Sequence, residues 1–219
     1  MTKETLKTCF VIAPIGDQGS DIRRRSDNIM KAVIEPATQE CGYNPVRADT
    51  ISEPGMITSQ VIRHLIEDPL AIADLTGPNA NVFYELAVRH SFKKHVIQII
   101  EKGQKIPFDV AGLRTIEFDS NDIGSAADCK KEIVKHVQVI EKNPTKVDSP
   151  ISVAVDLQSL RSSGNLLEET NARIFSYLAH LTAENNVIAI EVRQLSDLVA
   201  NSVLGKLLFH LPCGASAES

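Results

Sequence analysis

Short apolar, β-rich runs alternate with helical patterns along most of this chain, and no other feature restricts its fold as strongly. "TCFVIAP" (8–14) reads as a buried strand, ended by Pro14 and Gly16. From 20 to 40, Ile22, Ile29, Val33 and Ala37 recur at helical spacing, with Pro36 set to kink or end that helix late. "YNPVRAD" (43–49) is a second strand, and Ile57, Val61, Ile62, Leu65 and Ile66 form the next helix stripe. "PLAIADL" (69–75) and "HVIQII" (95–100) are the third and fourth strands. Between them lies a helix over 82–94 that Asn79 or Asn81 would cap. "LRTIEF" (113–118) is the fifth strand, followed by a helix over 128–141. Strands alternating with helices call for a parallel sheet covered on both faces. The pattern predicts a doubly wound, flavodoxin-like α/β fold with a five-stranded parallel sheet, assigned to residues 1–142.

The pattern changes after that. "KNPTKVDSP" is polar and carries two prolines, which marks a linker over 143–150. Beyond it, "NLLEETNARIFSYLAHLTAEN" and "EVRQLSDLVANSVLGKLLF" read as amphipathic helices, and "PCGASAES" as a disordered tail. Residues 151–219 are too few to hold a core with much margin, so a helical appendage is expected, packed on the first domain or on a second subunit. A hydrophobic content of 43% with 23% charged residues is that of a soluble globular protein. A net charge of -5, with Arg23-Arg24-Arg25 the one basic cluster, argues against a nucleic-acid partner. Cys9, Cys41, Cys129 and Cys213 show no C-x-x-C pair and no metal spacing, so no metal is expected and the thiols suit a reducing compartment. No run is long enough for a membrane span, and the apolar stretch near the N-terminus is too short for a signal peptide. A cytoplasmic location follows as the expectation.

In an open parallel sheet, ligands sit beyond the carboxyl ends of the strands, where strand order reverses. The first loop, "APIGDQGSDIRRRSD" (13–27), combines Gly16, Gly19 and Ser20 with three arginines at a helix start. That suits an anion cradle; a flexible surface loop with a solvated basic face is the plainer alternative. After the third strand, Asp74 ends the run and Glu85 falls in the early turns of the next helix, where the macrodipole favours the ionised form. A charged, aimed carboxylate can stabilise or attack a cationic sugar carbon. Against this, Glu85 at i,i+4 from Arg89 could form an exposed pair worth only ~0.3–0.5 kcal/mol, and Asp74 could be a turn residue. Spacing leaves both open. His64 and His90 have no visible catalytic partner and read as surface or interface histidines.

A resemblance decides between them. "ADLTGPNANVFYELAVRHSFKKHVI", with "FVIAPIG" and the Arg-rich first helix, resembles the nucleoside 2-deoxyribosyltransferase-like superfamily. That group includes nucleotide N-hydrolases and is akin to Toll/interleukin-1 receptor (TIR) domains that cleave NAD. The likeness spans residues 1–118 and rests most firmly on "NVFYELAVRH", similar to the superfamily's "xYELGxA" helix. It implies Glu85 as the nucleophile at the anomeric carbon, with Tyr84 beside it in the motif. It implies a substrate-holding role for Pro14, Ile15, Gly16, Ser20 and Arg23 in the first loop. Asp74 and Asn81 become candidates for catalysis or sugar-hydroxyl contacts; independently of the resemblance, Phe108 and Asp109 in "IPFDVAGLR", a loop at the crevice edge before the fifth strand, form either a wall over a base or only a packed turn. One departure stands out: the acid that assists base departure in deoxyribosyltransferases aligns with Gln60-Val61, neither of them acidic. That fits a leaving group departing without protonation, such as the nicotinamide of NAD.

Two classes of function are thus expected. One is an N-glycosidase of a nucleotide or of NAD, needing no cofactor, acting as a bacterial defence effector and assembling as a homo-oligomer through its C-terminal helices. The other is a non-catalytic nucleotide-binding or signalling module that keeps the fold.

Overall fold

Five strands, Lys7–Ile12 (β1), Tyr43–Arg47 (β2), Leu70–Asp74 (β3), Val96–Glu101 (β4) and Thr115–Phe118 (β5), lie parallel in the order β2-β1-β3-β4-β5. The computed structural model describes residues 6–145, 147 and 149–154; the two helices expected at 165–185 and 191–209, and all of the expected appendage beyond residue 154, lie outside the described residues. Strand order reverses between β1 and β3, whose pairing runs from Cys9↔Leu70 to Ile12↔Ala73. The exits of these two strands are therefore neighbours, and they define the switch point at which such folds take ligands.

The strands bury both faces because successive side chains alternate. Cys9, Val11, Leu70, Ile72, Ile97 and Ile99 face one way, towards helices α1 (Asp21–Ile29) and α5 (Ile123–Lys142). Phe10, Ile12, Ala71, Ala73 and Ile100 face the other, towards α3 (Ile57–Glu67) and α4 (Ala80–Ser91). Cys9 and Cys129 are buried free thiols; burial pushes Cys129 up to about 12 and Cys9 further, so neither is a nucleophile at neutral pH.

Pro36 does not end the first helix. A π-helical stretch, Met30–Ile34, links α1 to α2 (Glu35–Glu40), and the Glu35 amide bonds back to the Met30 carbonyl, five residues away. A widened turn just before Pro36 relieves the clash its ring would make with the preceding turn. Asn79, rather than Asn81, caps α4, its Oδ1 accepting from the Asn81 and Val82 amides. α5 begins at Ile123, five residues before its expected start, because Asp122 caps it. The segment expected as a linker packs back on the domain: His95 Nε2 donates to the Pro144 carbonyl at 2.9 Å, Val147 lines a cavity with residues of α4 and α5, and Ser149 is buried. No helix among the described residues is long and apolar enough to cross a membrane.

Candidate active site at the carboxyl edge of the sheet

Glu85 lies on α4 one residue before Leu86 and three after Val82, both buried in the core beneath the helix. That places its carboxyl at the flank of the buried stripe, half out of water. No hydrogen bond or ion pair reaches it among the described residues. Burial alone raises its pKa to about 7. The macrodipole was expected to keep this carboxyl ionised; Glu85 is the sixth residue of α4, beyond the first turn where that field is strong, and desolvation prevails.

The expected surface partner is elsewhere. Arg89 is fully buried, and its guanidinium donates to the His95 carbonyl at 2.9 and 3.1 Å and to the Leu65 carbonyl at 2.9 Å. It ties α4 to the end of α3 and the start of β4, and burial lowers its pKa to about 10. Glu85 is left unpaired as a consequence.

The carboxylate at the end of β3 is in the opposite state. Asp74 continues the Leu70, Ile72 alternation and so faces α1, where Arg25 reaches it at 2.8 Å. Its other oxygen accepts from the Thr76 amide at 3.0 Å, and only 1% of Asp74 is exposed. Asp74 and Glu85 thus approach the crevice from opposite faces of the sheet. The structure does not join them as a carboxylate pair.

At the start of α1 the serine and the arginines are likewise engaged. Gly16 sits at φ +65°, and an added Cβ would fall 2.7 Å from Ser20 Oγ and 2.9 Å from the Ile22 side chain, so the turn requires glycine. Ser20 caps α1 by accepting from the Arg23 amide at 3.1 Å. Pro14 is buried and Ile15 half-buried at the exit of β1. Arg23 bonds Asp27 at 3.0 Å and Asp49 at 2.7 Å. Both carboxylates are shared with the buried Arg47, which reaches Asp27 at 2.5 Å and Asp49 at 2.6 Å and also donates to Ser26 Oγ. Hydrogen bonds from Arg47, then Arg23, hold the Asp27 carboxyl below its usual range; those from Arg47 do the same for Asp49. Arg24 pairs with Asp21. The three arginines expected to offer charge to a phosphate each have a carboxylate partner on the protein.

Aromatic side chains are exposed nearby. Tyr84 is 63% exposed beside Glu85, and Asn81 is exposed on the first turn of α4. Phe108 is 75% exposed on a short 3-10 turn, Phe108–Val110, whose Val110 and neighbouring Ile106 pack into the cluster that holds Leu75 and Val82. That turn follows β4, so Phe108 stands on the α4 side of the crevice. Gln60, which is not acidic, is buried and donates to the Glu53 carbonyl at 2.9 Å. His64 and His90 are not surface histidines: His64 stacks on Phe10 with its Nδ1 2.8 Å from Asp68, and His90 is 4% exposed. No cluster of three or more metal-binding side chains occurs among the described residues.

The fold and this edge define a flavodoxin-like α/β domain with one unpaired carboxyl on the helix after its third strand. No family profile matches the chain, and no curated protein matches it in sequence. Among solved structures it is similar to a CMP N-glycosidase of Clostridium botulinum, BcmB, at 14% identity and a TM-score of 0.41, over 61% of this chain and 98% of that one.

Proposed function

We propose that the chain is an N-glycosidase acting on a nucleotide or on NAD, with Glu85 as its catalytic carboxylate. The observation that carries this is the state of Glu85: half-buried, without a partner, and raised to about 7 by desolvation alone. A carboxylate with no countercharge of its own is stabilised most when positive charge appears in front of it. Cleavage of a base-sugar bond supplies that charge, because the sugar carbon becomes oxocarbenium-like as the base departs. The Glu85 oxygen either shields this carbon or forms a glycosyl ester that water then opens. A substrate whose base already carries positive charge, such as the nicotinamide ring of NAD, needs no acid to help it leave. Gln60 in place of an acid on α3 agrees with that preference. Tyr84 and Phe108 offer faces on which a base can stack.

In this scheme Asp74 is a positioning residue. Its bonds to Arg25 and the Thr76 amide fix α1, and with it the first loop, against the end of β3. The second reading is a nucleotide-binding module without catalysis, which keeps the fold and the exposed Tyr84 and Phe108 faces but makes no use of the Glu85 charge.

Incubation of the full chain with NAD, CMP, dCMP and deoxynucleosides, followed by chromatography for free base, separates the two. Release of base from at least one substrate, lost in Glu85→Gln, is the expected result. Release that continues unchanged in Glu85→Gln removes the assigned role, and a silent panel that still binds nucleotide favours the module.

A further inference from the structure

At the opposite end of the sheet from Glu85, a cavity of about 360 Å³ runs past the starts of β4 and β5, between the last turn of α4 and the second half of α5. We propose that this is a second ligand site, one that takes a small organic anion: an apolar body carrying a carboxylate or phosphate head.

Two buried side chains that line it are incompletely bonded. His90 is 4% exposed, and its Nε2 has no hydrogen-bond partner. Gln98 is 1% exposed; its Oε1 accepts from Thr115 Oγ1 at 3.1 Å, while its Nε2 has no partner. A buried amide nitrogen without an acceptor is costly to leave unbonded, so a group left this way beside a cavity calls for an acceptor to occupy it. Neither residue takes part in the chemistry proposed for Glu85.

The rim specifies the charge. Lys94 and Arg114 supply its positive charge; burial holds His90 and His136 towards the neutral imidazole, His95 Nε2 is given to the Pro144 carbonyl, and among the described residues that line the cavity none is acidic. Glu132, on α5, acts electrostatically on Arg114 and His136, and it is already bonded to Lys135. Helix ends at this edge of a parallel sheet present carbonyls, which would repel an anion, but those of α4 are closed. Lys93 adopts φ 51° as a left-handed cap, and the amides of Phe92, Lys93 and Lys94 donate to the carbonyls of Val88, His90 and Arg89. The floor is apolar, from Leu113, Val139 and Ile140. An acceptor head between Gln98 and the cationic rim, with a hydrocarbon or ring body on that floor, satisfies both halves of the lining.

The test is an NMR titration of the full chain, following the imidazole resonances of His90 and His136, with benzoate and phenyl phosphate as anionic probes and benzyl alcohol as the neutral control. At least one anion is expected to shift both histidines saturably, and benzyl alcohol to bind at least tenfold more weakly. Arg114→Gln, at an exposed position, is expected to weaken the anion about tenfold, the effect of one lost charge-assisted contact. Glu85→Gln is expected to leave it unchanged, which separates this site from the one at the carboxyl edge. Absence of saturable shifts with both anions overturns the proposal. So does equal binding of benzyl alcohol, or anion binding that Arg114→Gln leaves intact.

Discussion

The two sides of the carboxyl-edge crevice are built on opposite plans. On the α1 side the charges are paired across the fold: Arg25 Nη2 with Asp74, and Arg23 and Arg47 with Asp27 and Asp49, with Arg25 Nη1 the one buried nitrogen of this group left without a hydrogen-bond partner among the described residues. On the α4 side, Glu85 is half-buried and unanswered, and the arginine one turn on is directed into backbone carbonyls instead. Satisfied buried networks make a rigid wall; an unsatisfied carboxyl is costly in the free protein and has a use only when something cationic arrives. Under the proposed function, this contrast would make α1 the wall and α4 the side that carries the chemistry.

The largest effect expected is on turnover. Glu85→Gln keeps the size and shape of the side chain but loses the charge, and base release is expected to fall by at least about a thousandfold. A loss below tenfold would place the chemistry elsewhere. Its counterpart on the α1 side is Asp74→Ala, which strands Arg25 with 21% of its side chain exposed. Urea denaturation is expected to show a loss of about 2–4 kcal/mol, with turnover per folded molecule within a few-fold of wild type. An unchanged stability with turnover abolished would reverse the roles given to the two carboxylates.

The pH dependence sharpens the contrast. A carboxylate acting on a cationic centre must be ionised, so kcat/KM is expected to rise with pH through about 7 and level off above it. A flat profile from pH 5.5 to 8.5 contradicts an unpaired Glu85. Stability carries the same signature with the opposite sense. The folded state holds the Glu85 proton up to about 7 and the unfolded chain releases it near the ordinary 4.5. The folded state is therefore progressively disfavoured between those values, and the burial cost is complete above 7. Glu85→Gln is expected to be more stable than wild type at pH 8 by on the order of 1–2 kcal/mol, allowing for partial exposure, with the difference gone at pH 4. Equal stability at both pH values would mean the carboxyl is solvated.

The smallest effect concerns the first loop. Arg23→Ala removes two bonds from the Arg47 network and is expected to cost about 1 kcal/mol, while lowering turnover of phosphorylated and unphosphorylated substrates alike. A selective loss with 5'-phosphorylated substrates would show that Arg23 leaves Asp27 and Asp49 to grip the ligand.

Much of this architecture is legible in the chain. Runs such as "LAIAD" and "VIQIIE" are apolar without a polar face, as strands buried on both sides must be, and the helices between them leave only a parallel sheet. The π-helical stretch before Pro36 is hidden, because periodicity registers a helix without its pitch. The start of α5 at Ile123 is masked by "GSAAD", which carries no large apolar side chain although Asp122 marks the cap. At the site, Glu85 is visible through its motif, whereas its isolation is not. Whether it pairs with Arg89 depends on carbonyls at Leu65 and His95, 24 and 6 residues from that arginine. The Arg25–Asp74 bond likewise spans 49 residues and Arg47–Asp27 spans 20. Local spacing carries no trace of either, so the first-loop arginines look free until the sheet brings their partners beside them.

The measurement closest to the central claim is the titration of the Glu85 side chain itself, read from its carboxyl carbon by NMR as the difference between wild type and Glu85→Gln. A midpoint near 7 is predicted, moving downward when a positively charged substrate analogue is bound. A midpoint at the ordinary glutamate value, unmoved by such an analogue, would contradict it.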